Sequence, residues 1–223
     1  MPEEDLLDYF FQFVSEHKQK LFLNNINYRT RHLTVVVENI FQSHNASAVL
    51  RSCDCFGVQD VHIIENSNTY ELNPDVALGA SKWLNLHKYN SKANNTEDCL
   101  KTIKNKGYRL IATTPHETDF NLSEIDVTQK TALVFGTEGE GLSETALNMA
   151  DACVKIPIYG FTESFNISVS AALCLYEFTE KMRKSNVSWQ LSDEEKKEIL
   201  LDWSRQVIKK HELLEKRFFN KGS

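Results

Sequence analysis

Glycine and proline are scarce, 8 and 4 in 223 residues, which excludes collagen-like and Pro/Gly-rich disordered chains. The five cysteines, Cys53, Cys55, Cys99, Cys153 and Cys174, are odd in number and form no C-x-x-C pair. Neither a disulfide framework nor a zinc site is expected. The seven histidines form no H-E-x-x-H or similar cluster, so no metal is expected. Repeats and low-complexity tracts are absent, and no apolar run reaches membrane length. The acidic start, Met1–Asp8, lacks the basic opening of a signal peptide. A cytoplasmic, reducing home is expected.

What is present is ordinary for a folded chain. Hydrophobic residues are 41% and charged residues 25%, which excludes wholesale disorder and coiled coil. The length suits one large domain, or one domain with appendages. A net charge of −6 argues against a protein that coats nucleic acid with a basic surface. The charge is uneven: residues 181–223 hold 11 Lys+Arg against 7 Asp+Glu, and residues 1–180 hold 14 against 24. That basic tail is either a solvated helical face or a surface for phosphate.

Apolar residues at helical spacing, Leu6, Phe10, Phe13, Val14 and Leu21, predict an amphipathic helix over residues 3–22, with Asn24–Arg31 as linker. From Leu33 the pattern changes. Leu33–Val37 reads as a buried strand. A helix over 45–56 follows, with Asn45 as N-cap and Gly57 as its stop, then a strand at Val58–Ile64. This βαβ unit implies parallel strands. The alternation goes on: helix 94–105, strands 108–113 and 131–136, helix 143–150, strand 153–158, helix 164–183. A last helix spans 192–217, opened by a capping box at Ser192–Glu195. The expected class is α/β, a parallel sheet with helices on both faces.

Three stretches depart from plain core. Ser43–Arg51 places Asn45 and Arg51 in the loop and helix after the first strand, at the sheet end where α/β proteins bind ligands. Taken alone, Asn45 is a helix cap and Arg51 a surface ion-pair residue. Ala132–Ser143 runs an apolar strand into Gly136, Gly139 and Gly141 around Glu138. Its order is neither G-x-G-x-x-G nor a P-loop. Lys155–Leu173 ends a strand at Pro157, loops through Gly160, and starts a small-residue helix that Ser164 or Asn166 could cap.

Together these resemble the three motifs of the SpoU (TrmH) branch of the SPOUT RNA methyltransferases. The matches are N-x-x-x-x-x-R at Asn45–Arg51, G-x-E-x-x-G-L-S at Gly136–Ser143, and I-P-x-x-G-x-x-x-S-x-N-x-S-V at Ile156–Val169. They come in order, each after a strand, and the likeness covers roughly residues 33–182. It implies a parallel-sheet SPOUT fold with a C-terminal trefoil knot, against the usual rule that chains do not thread. Helical extensions at 1–31 and 184–223 would flank a methyltransferase domain at 32–183.

The resemblance implies S-adenosyl-L-methionine as cofactor, held by Thr113, Gly136, Ile156, Ile158 and Phe165. Phe165 stands where the family usually has Leu, and both are apolar. It implies Arg51, Asn45, Glu138, Ser164 and Asn166 as catalytic-site residues. Asn45 and Asn166 would place Arg51 and the ribose, and Glu138 would brace its loop. The implied reaction is 2′-O-methylation of RNA ribose, first of all the D-loop guanosine at position 18 of tRNA, by a homodimer whose sites lie at the subunit interface. Ribosomal RNA is the alternative substrate. An inactive RNA-binding scaffold and a nucleotide-dependent oxidoreductase are rivals, opposed by the intact Arg51, Glu138 and Asn166 and by the missing G-x-G-x-x-G. For RNA contact the basic ends offer Lys18, Arg29, Arg31, Lys209 and Lys210.

Overall fold

The computed structural model describes residues 5–40, 42–69, 73–116 and 119–220. It divides into two compact units, Thr30–Trp189 and Met1–Arg29 with Gln190–Ser223.

The larger unit is built on parallel strands. In chain order they are β1 (Leu33–Glu38), β2 (Asp60–Ile64), β3 (Asn85–Tyr89), β4 (Arg109–Thr113), β5 (Phe120–Asn121), β6 (Thr131–Phe135) and β7 (Ala152–Lys155). They form one sheet in the order β3-β2-β1-β6-β4-β7-β5, and each pairing is parallel. Successive side chains on a strand face opposite ways. Val35 and Val37 enter one core with Val49, Leu50, Leu175 and Phe178. Val36 enters the other with Leu100, Ile103 and Ala146. Both faces are covered, which is why β1 carries Leu33, Val35, Val36 and Val37 in a near-continuous apolar run, broken only by Thr34, rather than alternating.

The helices supply those cores. Counting from the chain start, α1 (Leu6–Phe11) and α2 (Glu16–Asn25) belong to the smaller unit. Then α3 (Ser43–Phe56), α4 (Pro74–Ala77), α5 (Thr96–Asn105), α6 (Glu144–Met149) and α7 (Ile167–Lys184) belong to the sheet. The smaller unit adds α8 (Asp193–Val207) and α9 (His211–Asn220). Its contacts include aromatic pairs: Phe22 meets Trp203 at 5.5 Å between ring centroids, and Tyr9 meets Phe218 at 5.3 Å.

Several boundaries differ from the sequence reading. The single helix expected at 3–22 is two helices, and residues 3 and 4 lie outside the described residues. Ser15 is extended at the break. The Gln19 amide donates to the carbonyls of Phe11 (2.6 Å) and Val14 (2.7 Å), which satisfies the end of α1. The expected linker is partly helical, since α2 runs to Asn25 and a 3₁₀ turn covers Ile26–Tyr28. The last helix is also broken, with Ile208 extended and Lys210 at φ +58°. Strand β7 stops at Lys155, two residues before Pro157, whose nitrogen cannot donate to a ladder. Strand β3 is absent from the sequence reading: Asn85, His87 and Lys88 break any apolar run. The Gly57 stop and the Ser192–Glu195 capping box are present, with Gly57 at φ +78°.

Strands β2 and β3 carry a buried polar stack. Asp60 accepts from Arg31 Nε at 2.9 Å and His87 Nε2 at 2.7 Å. His62, buried, stacks on His87 with centroids 4.6 Å apart. Burial, aided by the neighbouring His87, pushes the His62 imidazole down from 6.5 to about 3. The folded protein therefore refuses a proton that the unfolded chain takes below about pH 6.5, so this histidine's contribution falls on acidification from 6.5 toward 3. Urea unfolding at pH 7.5 and pH 5 checks this. His62→Phe should cut the acid-side loss of stability by about 2 kcal/mol relative to the parent. An identical loss in both would place the titration elsewhere.

Candidate functional site

Strands β6, β4 and β7 are neighbours in the sheet, so the loops at their carboxyl ends converge. They wall a crevice of about 290 Å³. Thr113 comes from β4, Gly136–Leu142 from the loop after β6, and Ile156, Ile158, Ser164 and Phe165 from the loop after β7. All five residues expected to hold a cofactor line this one space, as do Glu138 and Ser164. The Thr113 hydroxyl donates to the Val134 carbonyl at 2.9 Å, which ties β4 to β6 at the crevice floor.

The loop after β6 is a tight reversal. Thr137 and Gly141 exchange backbone bonds of 2.9 and 3.2 Å. A Cβ on Gly136 would overlap the Gly141 carbonyl and the Leu142 amide, so only glycine fits. Gly139 and Gly141 take φ of +98° and +73° to make the turn.

The tip of that loop is fastened to α7 and α3. Asn166 Nδ2 donates to Glu138 Oε1 at 2.5 Å and to Asn45 Oδ1 at 3.2 Å. Asn166 Oδ1 accepts from the Ser168 amide at 2.9 Å, which caps α7. Helix α7 thus starts at Ile167 rather than 164. Asn45 is not a cap. Gln42 takes that backbone position, and Asn45 lies buried inside the first turn with its carboxamide turned to Asn166.

Arg51 is elsewhere on α3. It is exposed and lines an open groove with His44, Ser52, Cys55 and Phe56, closed on the far side by Asp75 and Val76. Of the cations expected to meet RNA, Lys18, Lys209 and Lys210 are exposed. The other two are placed differently. Arg29 is buried with its guanidinium 5.3 Å from the Trp203 ring, and Arg31 is paired with Asp60. Both charges are turned inward.

A parallel α/β sheet with a partly apolar crevice outside the carboxyl ends of adjacent strands defines a ligand-binding domain of the doubly wound class. The chain belongs to the SpoU rRNA Methylase family, whose model matches residues 32–176. It is 42% identical, over 92% of each chain, to a protein of Borreliella burgdorferi named tRNA (guanosine(18)-2′-O)-methyltransferase. The solved structure of the A. aeolicus TrmH/SpoU tRNA modifying enzyme superimposes with a TM-score of 0.78 and 31% identity, over 87% of this chain and 98% of that one. The SpoU methyltransferase AviRb of Streptomyces viridochromogenes, solved with AdoMet, shares the fold with a TM-score of 0.61 and 24% identity, over 73% of this chain and 65% of that one.

Asn166 joins two functions that substitution can separate. Asn166→Ala should lose both the cap and the link, at about 1 kcal/mol for the cap and a melting temperature lower by roughly 2–4 °C. Asn166→Ser should regain most of that stability, because serine caps as well, while Glu138 and Asn45 stay unlinked. Thermal unfolding of the pair checks it. Equal melting temperatures for the Ala and Ser variants would show that the cap contributes nothing.

Proposed function

We propose that this protein transfers a methyl group from S-adenosylmethionine to the ribose 2′-oxygen of guanosine 18 in tRNA. The observation that carries the reading is that residues of the second and third motifs wall one crevice, and that Asn166 bonds Glu138 of that wall to Asn45 of the first motif. The crevice residues fit the cofactor. Ile156, Ile158 and Phe165 offer apolar surface, Gly136–Leu142 offer backbone, and Glu138, Glu140 and Glu163 put carboxylates beside a cationic ligand. When bound, the cofactor supplies a methyl group on positively charged sulfur. The trefoil knot implied by the motifs stays part of this reading.

In the transfer a carbon–sulfur bond breaks, leaving a neutral thioether, an oxygen–carbon bond forms, and the hydroxyl proton passes to solvent water. An arginine is an unsuitable base, because its pKa lies above roughly 12. Arg51 therefore orients the ribose and stabilises charge developing on its oxygen. Asn45 and Asn166 hold the frame on which Arg51 and the ribose are placed. Glu138 braces the glycine loop by accepting from Asn166, and Ser164 supplies a hydroxyl at the crevice wall.

A homodimer is part of the reading. Helix α7 leaves Val169, Leu173 and Tyr176 exposed at 44%, 38% and 55%, a stripe at helical spacing. A cytoplasmic location suits a tRNA substrate, and among the described residues no helix is long and apolar enough to cross a membrane. The reaction as read needs no metal.

RNA contact falls to the cations with charge to spare. Lys181, Lys184, Lys196, Lys197 and Arg205 all pair with acidic neighbours. Lys18, Lys209 and Lys210, with Lys216 and Arg217, are exposed and have no ion pair among the described residues. These make the phosphate surface.

The direct experiment incubates the protein with methyl-labelled S-adenosylmethionine and a tRNA transcript, then maps ribose methylation. Label should enter at guanosine 18 and vanish when that nucleotide is 2′-deoxyguanosine. Label that persists in the deoxy substrate would overturn the reading. Arg51→Ala should lower turnover by about 10²-fold or more while leaving the cofactor dissociation constant nearly unchanged. Equal loss of both would put Arg51 in the cofactor crevice. Replacing Lys209 and Lys210 by Gln should weaken tRNA binding whatever the sequence and flatten its salt dependence by about one unit per lost contact. An unchanged salt slope would make that segment a packing element only.

A further inference from the structure

Strand β1 runs through three valines, Val35–Val37, and then ends on a carboxylate. Glu38 is 2% exposed. It accepts from Thr96 Oγ1 at 2.5 Å, from the Ser143 amide at 2.8 Å and from Ser143 Oγ at 2.7 Å. Both hydroxyls are committed to it. Thr96 Oγ1 receives Asn66 Nδ2 at 2.9 Å, and Ser143 Oγ receives the Ala146 amide at 3.1 Å, so each has only its own proton left to give. A carboxylate, which only accepts, matches three converging donors. Among the described residues no lysine or arginine pairs with Glu38. Its charge is met by neutral donors at the first residue of α5 and the cap of α6.

Those bonds close a ring. Ser143 is the base of the glycine loop whose tip is Glu138. Glu138 holds Asn166, Asn166 holds Asn45, and Asn45 stands seven residues after Glu38 on the connection out of β1. The glycine loop is thus fixed at its base by Glu38 and at its tip by Asn166, and both anchors lead back to β1. The loop is braced between them, because Thr137 and Gly141 are bonded both ways and the Gly136 backbone lies close against that of Gly141 and Leu142. A displacement at Ser143 therefore reaches Glu138.

We propose that Glu38 is a positioning residue for the methyl-transfer site. It sets the glycine-loop wall of the crevice against the Ile156–Phe165 wall and aims Glu138 at Asn166. This rests on the reading that the crevice holds S-adenosylmethionine. Glu38 touches neither cofactor nor RNA and acts through Ser143.

The test is calorimetric binding of S-adenosylmethionine, with the KM for tRNA and the melting temperature measured alongside. Glu38→Gln turns a donor toward three donors. It should weaken cofactor binding about tenfold at temperatures well below its melting point, because a shift of about 1 Å in a site wall is costly. The KM for tRNA should stay within about twofold, since the phosphate surface is separate. Ser143→Ala and Thr96→Val each remove one hydroxyl from Glu38, the first on the loop and the second on α5. A positioning role predicts weaker cofactor binding for Ser143→Ala than for Thr96→Val even where both lower the melting temperature alike. Folded Glu38→Gln that binds within twofold of the parent overturns the proposal. Equal cofactor affinity in Ser143→Ala and Thr96→Val overturns it too, should Glu38→Gln not fold. A parent protein that fails to bind S-adenosylmethionine sinks the functional reading itself, and this inference with it.

Discussion

The site depends on one carboxamide. Asn166 has two amide hydrogens and two acceptor lone pairs, and all four are used: Glu138 and Asn45 take the hydrogens, and Ser168 gives its amide and hydroxyl to the oxygen. No other side chain type of that size offers both halves. Aspartate would meet Glu138 with like charge, and serine has one proton to give. The residue that starts α7 is therefore also the one that gathers the loops after β1 and β6. Its geometry is available only because α7 packs on α3, with Leu175 and Phe178 in the same core as Val49 and Leu50. Core packing sets the distance, and the amide uses it.

The sheet was largely legible because both of its faces are buried. Two-sided burial makes central strands read as near-continuous apolar runs, as Val35–Val37 of β1 and Ala132–Phe135 of β6 do. The edges were not legible for the same reason. Strand β3 lies at the end of the sheet and carries His87 and Lys88, so its strand character comes from pairing with β2 rather than from its own residues. The helix breaks at residues 12–15 and 208–210 were hidden because neither contains glycine or proline. One is stabilised by the Gln19 side chain reaching back to the preceding carbonyls, a tertiary bond with no local signature.

The site was legible in its residues and not in its geometry. The motif spacing named Asn45, Glu138 and Asn166, and the structure joins them. It could not say that Asn45 would leave the cap position to Gln42. Nor could charge alone distinguish a cation in solvent from one folded inward. Arg29 and Arg31 sit in a basic segment, yet an indole ring and a buried carboxylate hold them. Glu38 was missed for the opposite reason. A charged residue after an apolar run looks like the point where a strand meets water, and here it is the most enclosed carboxylate at the site.

Helix α3 poses the remaining constraint. Asn45 and Arg51 are six residues apart, and six residues turn a helix by about 600°, which leaves their side chains roughly 120° apart around the axis. One helix therefore turns Asn45 toward Asn166 and Arg51 to the open groove, as observed. On the proposed reading the methyl group and the arginine that stabilises its acceptor start on different faces of one subunit. A ribose could reach both only by lying across the start of α3, or by entering between two copies where the groove of one adjoins the crevice of the other. The exposed stripe of Val169, Leu173 and Tyr176 favours the second arrangement, because α7 packs against α3 and an apolar face of that extent gains most from being covered. Dimerisation would then be a condition of the chemistry rather than an addition to it.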